Sequence, residues 1–262
     1  MKRHLALFLA YQGTAYHGFQ VQKNALTVAR VLQDAIAAAL GSREEIKGCS
    51  RTDAGVHALA YCVSFFTASG IPCEKLPLAL NAHLPADIRV FSAREVEPDF
   101  HARYSCTGKA YLYRVRNAPA ASPFSYQLAW RVWPKLELQP MRRAAALLCG
   151  QHDFASFMAA GSTIEAEGGS TVRTVRSFEV EQKGDELRFM IEADGYLYHM
   201  VRILVGTLVE AGAGRRDPDG VPAILAARDR AAAGQTAPAK GLALAKVFYD
   251  EFTLDGGGEL WA

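Results

Sequence analysis

The sequence predicts an α+β protein made of two similar α/β halves, and three observations carry that prediction. Strand-length apolar runs alternate with amphipathic helical stretches along most of the chain. The same alphabet of elements occurs twice, before and after a junction near residues 97–106. The length, 262 residues, exceeds the roughly 100–200 residues of a usual single domain. The expected division is therefore an N-terminal domain over 1–105 and a C-terminal domain over 106–262, with a cleft between them.

Residues 5–11 form the first strand, ending at Gln12-Gly13-Thr14. Thr27 is placed to cap a helix whose stripe is Val28, Val31, Leu32, Ala35, Ile36 and Ala39, and Gly41 stops it. Residues 60–66 and 88–96 are further strands, separated by the turn-rich SGIPCEKLP and a short apolar stretch at 78–80. In the second half, strands are expected at 110–116 and 128–133, a helix from Pro140 to Leu148, and strands at 175–181 and 186–193. A helix over 197–211 follows. Residues 161–170, with EAEGGS, read as a mobile loop, and 222–233 as a short Ala-rich helix ending at Gly234.

Composition limits the function classes. Half of the residues are apolar and 21% are charged, which excludes a disordered, collagen-like or coiled-coil chain. No apolar run approaches the roughly 18 residues that cross a bilayer, and the first residues lack a signal-peptide cleavage site. The cysteines, Cys49, Cys62, Cys73, Cys106 and Cys149, are scattered without a CxxC pair, so the expectation is a reduced, cytoplasmic protein without a metal. The net charge of +2 conceals an asymmetry: residues 100–143 hold eight basic residues and one acid, Glu137. That segment is interleaved with Tyr104, Tyr111, Tyr113, Phe124, Tyr126, Trp130 and Trp133, a pattern suited to a polyanion with bases to stack on. Solvated strand faces would give the same composition.

Three segments point to chemistry. GCSRTDAGVHA, at 48–58, lies between a helix and a strand, and its turn-forming residues should expose the Asp53 carboxylate beside the Arg51 guanidinium. On its own, an Asp near a Gly is more often a turn former. The helix GYLYHMVRILVGTLVEAG holds Arg202 in an apolar stretch. A buried arginine there must meet a carboxylate from elsewhere, Asp53 being a candidate; a solvent-facing one would lay its stem over apolar surface. KAYLYRVR, at 109–116, alternates so that Tyr111, Tyr113 and Val115 share one strand face. A tyrosine there either lies against a base or packs in the sheet. His57 and His199 read as hydrogen-bonding or packing residues, and His101, beside Arg103, as an RNA contact.

Taken together, YQGTAYHGFQ, GCSRTDAGVHA, NAHLPADIRV, DFHARYS, KAYLYRV, HDFASF and YHMVRILVGTL, in this order, resemble the tRNA pseudouridine synthase A family. The resemblance implies two α/β domains whose mainly antiparallel sheets join across a basic cleft. It implies a homodimer that isomerises uridines 38 to 40 in the anticodon stem-loop of tRNA, without cofactor or metal. Asp53 is then the essential carboxylate nucleophile, Tyr111 packs on the target uracil, Arg202 pairs with and orients Asp53, and Arg51 helps hold the flipped-out nucleotide, with His101 and Arg103 as further RNA contacts. The sequence departs from the family pattern at Gln12, Phe19 and Met158, in place of Asp, Trp and Arg. Two other classes fit the residues less well. A non-catalytic RNA-binding protein leaves Asp53, Tyr111 and Arg202 without a purpose, and an Asp-nucleophile phosphatase would want a second Asp where Gly55 stands.

Overall fold

A computed structural model describes residues 2–133, 135–162, 164, 168–250 and 252–255. The chain divides into two compact units, one running to Thr107 and resuming at Ala243, the other spanning Gly108–Leu242.

The first unit opens with β1 (Arg3–Tyr11), followed by α1 (Val28–Leu40), β2 (Lys47–Gly48), β3 (His57–Thr67), α2 (Leu76–Asn81) and β4 (Ile88–Glu95). Both ends of α1 behave as its sequence dictates. Thr27 Oγ1 accepts the Arg30 N–H, and Gly41 takes the left-handed conformation while donating to the Ala37 carbonyl. Its Val28, Leu32 and Ile36 are fully buried with Leu5, Leu7 and Leu9 of β1 and Leu76 and Leu80 of α2, which form this unit's core. β1 pairs antiparallel with β3 on one side and β4 on the other. All of β3 except Phe66 is buried, so it reads as a continuous apolar run and not an alternating one. The apolar stretch at 78–80 belongs to the short helix α2.

The second unit contains β5 (Cys106–Asn117, of which the part from Gly108 belongs here), β6 (Trp130–Val132), α3 (Leu138–Ala146), β7 (Gly150–Asp153), β8 (Val172–Lys183), β9 (Glu186–Ala193), α4 (Met200–Gly212) and α5 (Val221–Ala227). Its strands run β5-β9-β8-β7, each pair antiparallel, with β6 parallel to β5. Along α4 every residue but Arg202 and Glu210 is buried, which makes it the core helix, packed on α3.

Each unit is thus mixed α and β with largely antiparallel pairing, matching the α+β expectation. Three local expectations need correction. The expected C-terminal domain, 106–262, loses its end: β10 (Leu242–Tyr249) pairs parallel with β3 through Ala243 and His57, and β11 (Thr253–Asp255) pairs with β10, so this segment groups with the first unit. The third helix starts at Leu138, before Pro140, because a proline in the first turn needs no N–H partner. The helix expected over 222–233 stops at Ala227. Arg228 is left-handed, with φ of 49°, and Asp229 caps a separate turn by accepting the Ala231 N–H. That break is tied down by Ser156 of the HDFASF motif, whose hydroxyl donates to the Ile224 carbonyl at 2.6 Å and accepts the Asp229 N–H at 3.0 Å. The EAEGGS loop lies partly outside the described residues.

Candidate active site

The Asp53 loop joins β2 to β3, and other motifs of the sequence hold it in place. At its start the Cys49 N–H donates to the Cys62 carbonyl at 2.9 Å, and the Tyr61 hydroxyl donates to the Ser50 carbonyl. At its end the Val56 N–H closes a turn onto the Asp53 carbonyl at 3.1 Å, with Gly55 at φ 77°. The YQGTAYHGF segment braces the middle. Phe19 N–H donates to the Thr52 carbonyl at 3.2 Å and Gly55 N–H to the Tyr16 carbonyl at 3.1 Å. The Tyr11 and Thr52 hydroxyls are 2.7 Å apart, and Gly13 N–H donates to His57 Nδ1 at 3.0 Å. This approach is so close that a Cβ on Gly13 would lie 1.9 Å from the Val56 oxygen, and one on Gly18 2.4 Å from the Thr52 oxygen.

NAHLPADIRV supports the brace from behind. Tyr16 donates to Asp87 Oδ1 at 2.7 Å, and Gln12 N–H donates to the Asp87 carbonyl at 2.9 Å. Burial first, then the Asp87 carboxylate, push the Tyr16 hydroxyl far above its ordinary pKa, so it remains a donor. Phe19, one of the departures from the family pattern, is buried and stacks on Tyr61 at 4.4 Å, the residue that also holds Ser50. Gln12 and Met158, the other two, are half-buried. The result is a half-buried Asp53 on a loop whose backbone is fixed on both sides, a carboxylate positioned before any substrate arrives.

Arg51 is exposed, two residues before Asp53. His101 and Arg103 belong to the same unit, and His101 Nδ1 accepts the N–H groups of Arg103 at 3.1 Å and Tyr104 at 3.3 Å. Partial burial lowers the His101 pKa, and the charges of Lys47 and Arg103 lower it further, which favours the form whose Nδ1 accepts these two N–H groups. His57 is buried with Nδ1 engaged by Gly13, the hydrogen-bonding role its place in the loop suggests.

Tyr111 and Arg202 belong to the second unit. Tyr111, paired with Ile191, is buried and meets Tyr196 edge-on at 4.9 Å. Tyr113 is committed to structure: its ring is fully buried and its hydroxyl donates to the Pro238 carbonyl at 2.7 Å. Burial pushes that hydroxyl's pKa strongly up, while the positive charge of Arg202 pulls against it, which puts Arg202 within electrostatic reach of the KAYLYRV strand. Arg202 itself is half-buried. Its Nε donates to the Ala237 carbonyl at 2.7 Å, and the Ala237 N–H returns a bond to the Arg202 carbonyl at 3.0 Å.

The basic segment does not remain a run of unpaired cations. Arg114 pairs with Glu186 at 2.5 Å, Arg116 with Asp185 at 3.4 Å and Arg143 with Asp219 at 3.2 Å, while Arg142 donates to the Val180 carbonyl at 2.9 Å. Burial alone would raise the Glu186 carboxyl, but Arg114 and Arg188 outweigh it and hold it below the usual range. Counting charge by sequence segment missed these partners because they come from β8, β9, the turn between them and the turn before α5. Among the described residues, no group of three or more His, Cys, Asp or Glu side chains is placed to hold a metal, and no helix is long and apolar enough to cross a membrane.

A family model described as tRNA pseudouridine synthase matches residues 7–105 and 144–250. The chain belongs to the tRNA pseudouridine synthase family. It is accordingly an isomerase that turns uridine into pseudouridine in tRNA. Similar relatives include the tRNA pseudouridine synthase A of Thermoanaerobacter sp. (strain X514), 46% identical over 94% of this chain and all of that protein. That of Moorella thermoacetica is 48% identical over 94% of this chain and 99% of its own. That of Halalkalibacterium halodurans is 45% identical over 92% and 90%. In the terms of this family, the two matched stretches contain Asp53 and Arg202, and the Tyr111 strand lies between them.

Sequence reasoning missed the residues that hold the Asp53 loop: Tyr11, Gly13, Tyr16, Gly18 and Asp87. The two glycines of YQGTAYHGF were the available signal, since glycine in a segment of aromatic residues marks a close backbone approach.

Proposed function

We propose that this enzyme isomerises uridines 38, 39 and 40 in the anticodon stem-loop of tRNA, as a cytoplasmic homodimer that needs no cofactor or metal. Asp53 is its catalytic nucleophile. Tyr111 packs on the target uracil, Arg202 orients Asp53, and Arg51, His101 and Arg103 hold the nucleotide. The observation that carries this reading is the fixed backbone around Asp53. Thr52, Gly55 and Val56 are all tied by hydrogen bonds, leaving the carboxylate as the reactive group of the loop.

The chemistry fits such a site. The N1–C1′ bond breaks and a C5–C1′ bond forms, the hydrogen on C5 leaves as a proton and N1 gains one, so no oxidant, water or group donor is consumed. Asp53 attacks either C1′ of the sugar or C6 of the ring, and its departure restores the carboxylate. A paired target must first leave its stack, which costs a few kcal/mol, and contact with the Tyr111 ring offsets part of that cost.

The test is Asp53→Asn and Asp53→Ala, assayed by tritium release from tRNA labelled at C5 of uridine. Both variants are expected to lose pseudouridine formation and to keep tRNA binding, because phosphate contacts dominate affinity. Substantial turnover by either one removes Asp53 from the nucleophile role.

A further inference from the structure

Beside the Asp53 loop, within the first unit, is an open cavity of about 420 Å³. Its wall includes Lys47 at the start of β2, Arg51 of the loop, and His101, Arg103 and Tyr104 of the HARYS turn. Tyr104 is the unusual member. Its side chain is 77% exposed, the most of any tyrosine among the described residues. Yet the backbone that carries it is firmly held. His101 Nδ1 accepts the Tyr104 and Arg103 N–H groups, Ser105 Oγ accepts the His101 N–H at 3.0 Å, and the Ser105 N–H donates to the His101 carbonyl at 2.9 Å. An aromatic ring exposed to water on a rigid turn contributes little to the core, but it is preorganised to receive a flat partner.

The charges around the ring specify what that partner carries. Arg103 sits with its guanidinium carbon 5.7 Å from the Tyr104 centroid. Lys47 and Arg103 are both close enough to His101 to depress its protonation, which places two positive fields on this wall. The single acid of the lining, Glu45, pairs with Lys47 at an exposed position, where an incoming phosphate can compete for the ammonium. Arg51 has no ion-pair partner among the described residues. A planar surface ringed by cations suits an anion joined to an aromatic base, and a paired helix would offer Tyr104 no free base face.

We infer that this cavity binds one unstacked nucleotide of the RNA substrate, its base on the Tyr104 ring and its phosphate at Lys47 and Arg51. That nucleotide is near the target in the RNA chain, because Arg51 is two residues from Asp53, at most about 7 Å of backbone. The inference rests on the proposed function and adds to it a second base-contacting residue that acts on binding and not on the bond-breaking step.

The experiment uses the full-length protein with an unmodified tRNA transcript for turnover, and a fluorescein-labelled anticodon stem-loop RNA for anisotropy. Variants are Tyr104→Ala, Tyr104→Phe and Lys47→Ala, with Arg43→Ala, which pairs with Asp34 away from the cavity, as control. Tyr104→Ala is expected to raise KM and Kd about 5- to 150-fold with kcat within about twofold of wild type, and Tyr104→Phe to restore both. Lys47→Ala should reduce the slope of log Kd against log salt by about 0.7, while Tyr104→Ala leaves that slope unchanged. Wild-type Kd in Tyr104→Ala, or a loss that Phe does not restore, overturns the inference. Absent turnover by the wild-type protein refutes the assigned reaction instead, and the anisotropy arm still decides whether Tyr104 holds a base.

Discussion

Replacing Gly13 by alanine tests whether the YQGTAYHGF segment positions Asp53. The new Cβ would lie 1.9 Å from the Val56 oxygen, where ordinary contact begins at 3.4 Å, so the two backbones must part by about 1.5 Å. Neither side is a flexible side chain that can rotate away. Separation also stretches the 3.0 Å bond from Gly13 to His57. Overpacking of this kind costs about 1–3 kcal/mol and the buried hydrogen bond about 1 more, so a loss of about 2–4 kcal/mol in urea denaturation is expected. Because Val56 closes the turn onto Asp53, the carboxylate moves with it, and a displacement of about 1 Å at a reacting group costs on the order of 100-fold in kcat. The tritium-release assay is run where both proteins are folded. Gly41→Ala is the control: at φ 78° an alanine there is strained in its backbone, but its Cβ meets nothing within 4 Å. It should cost about 1 kcal/mol of stability and no activity. Wild-type kcat in Gly13→Ala, or an equal loss of kcat in Gly41→Ala, would refute the positioning role.

Two further outcomes concern the second unit. Tyr111→Phe keeps the ring and is expected to retain turnover, whereas Tyr111→Ala should lose it and also about 3–5 kcal/mol of stability, since the side chain is buried; a Phe variant as inactive as Ala would give the hydroxyl a chemical role. Arg202→Lys keeps the charge but not the planar fork that bonds the Ala237 carbonyl, so it should recover part of the activity that Arg202→Met loses, and equal activity in both variants by tritium release would exclude a role for the charge.

Much of the fold was legible because local chemistry decides it. The cap and stop of α1 were visible in Thr27 and Gly41, and the strands β5 and β9 in their alternation. The failures are non-local. No strand was expected after Gly234, because the pairing of Ala243 with His57 joins residues far apart in the chain and leaves no periodic mark on either partner. The break at Arg228 likewise depends on Ser156, some seventy residues earlier, which satisfies backbone groups on both sides of it. An Ala-rich stretch read alone favours a continuous helix.

The site divides along the same line. Asp53, Arg51 and Arg202 stand out because a charged residue beside turn formers, or inside an apolar helix, violates the local pattern, and such violations mark function. The brace violates nothing. Tyr11, Tyr16 and Phe19 look like core aromatics, and they are buried as core aromatics are. What distinguishes them is where their polar atoms and backbone go: the Tyr11 hydroxyl to Thr52, the Phe19 N–H to the Thr52 carbonyl, the Tyr16 carbonyl to Gly55 and its hydroxyl to Asp87. Sequence pattern identifies which group can react, whereas only the hydrogen-bond geometry identifies which residues keep it still. For Arg202 the sequence points to a carboxylate partner if the side chain is buried, and it could not anticipate the backbone bond that the side chain also makes. The Ala237 carbonyl takes up the Nε–H and so fixes one edge of the guanidinium. A guanidinium aimed by one edge is a positioning device, which is why lysine, with the same charge and no such edge, separates orientation from electrostatics.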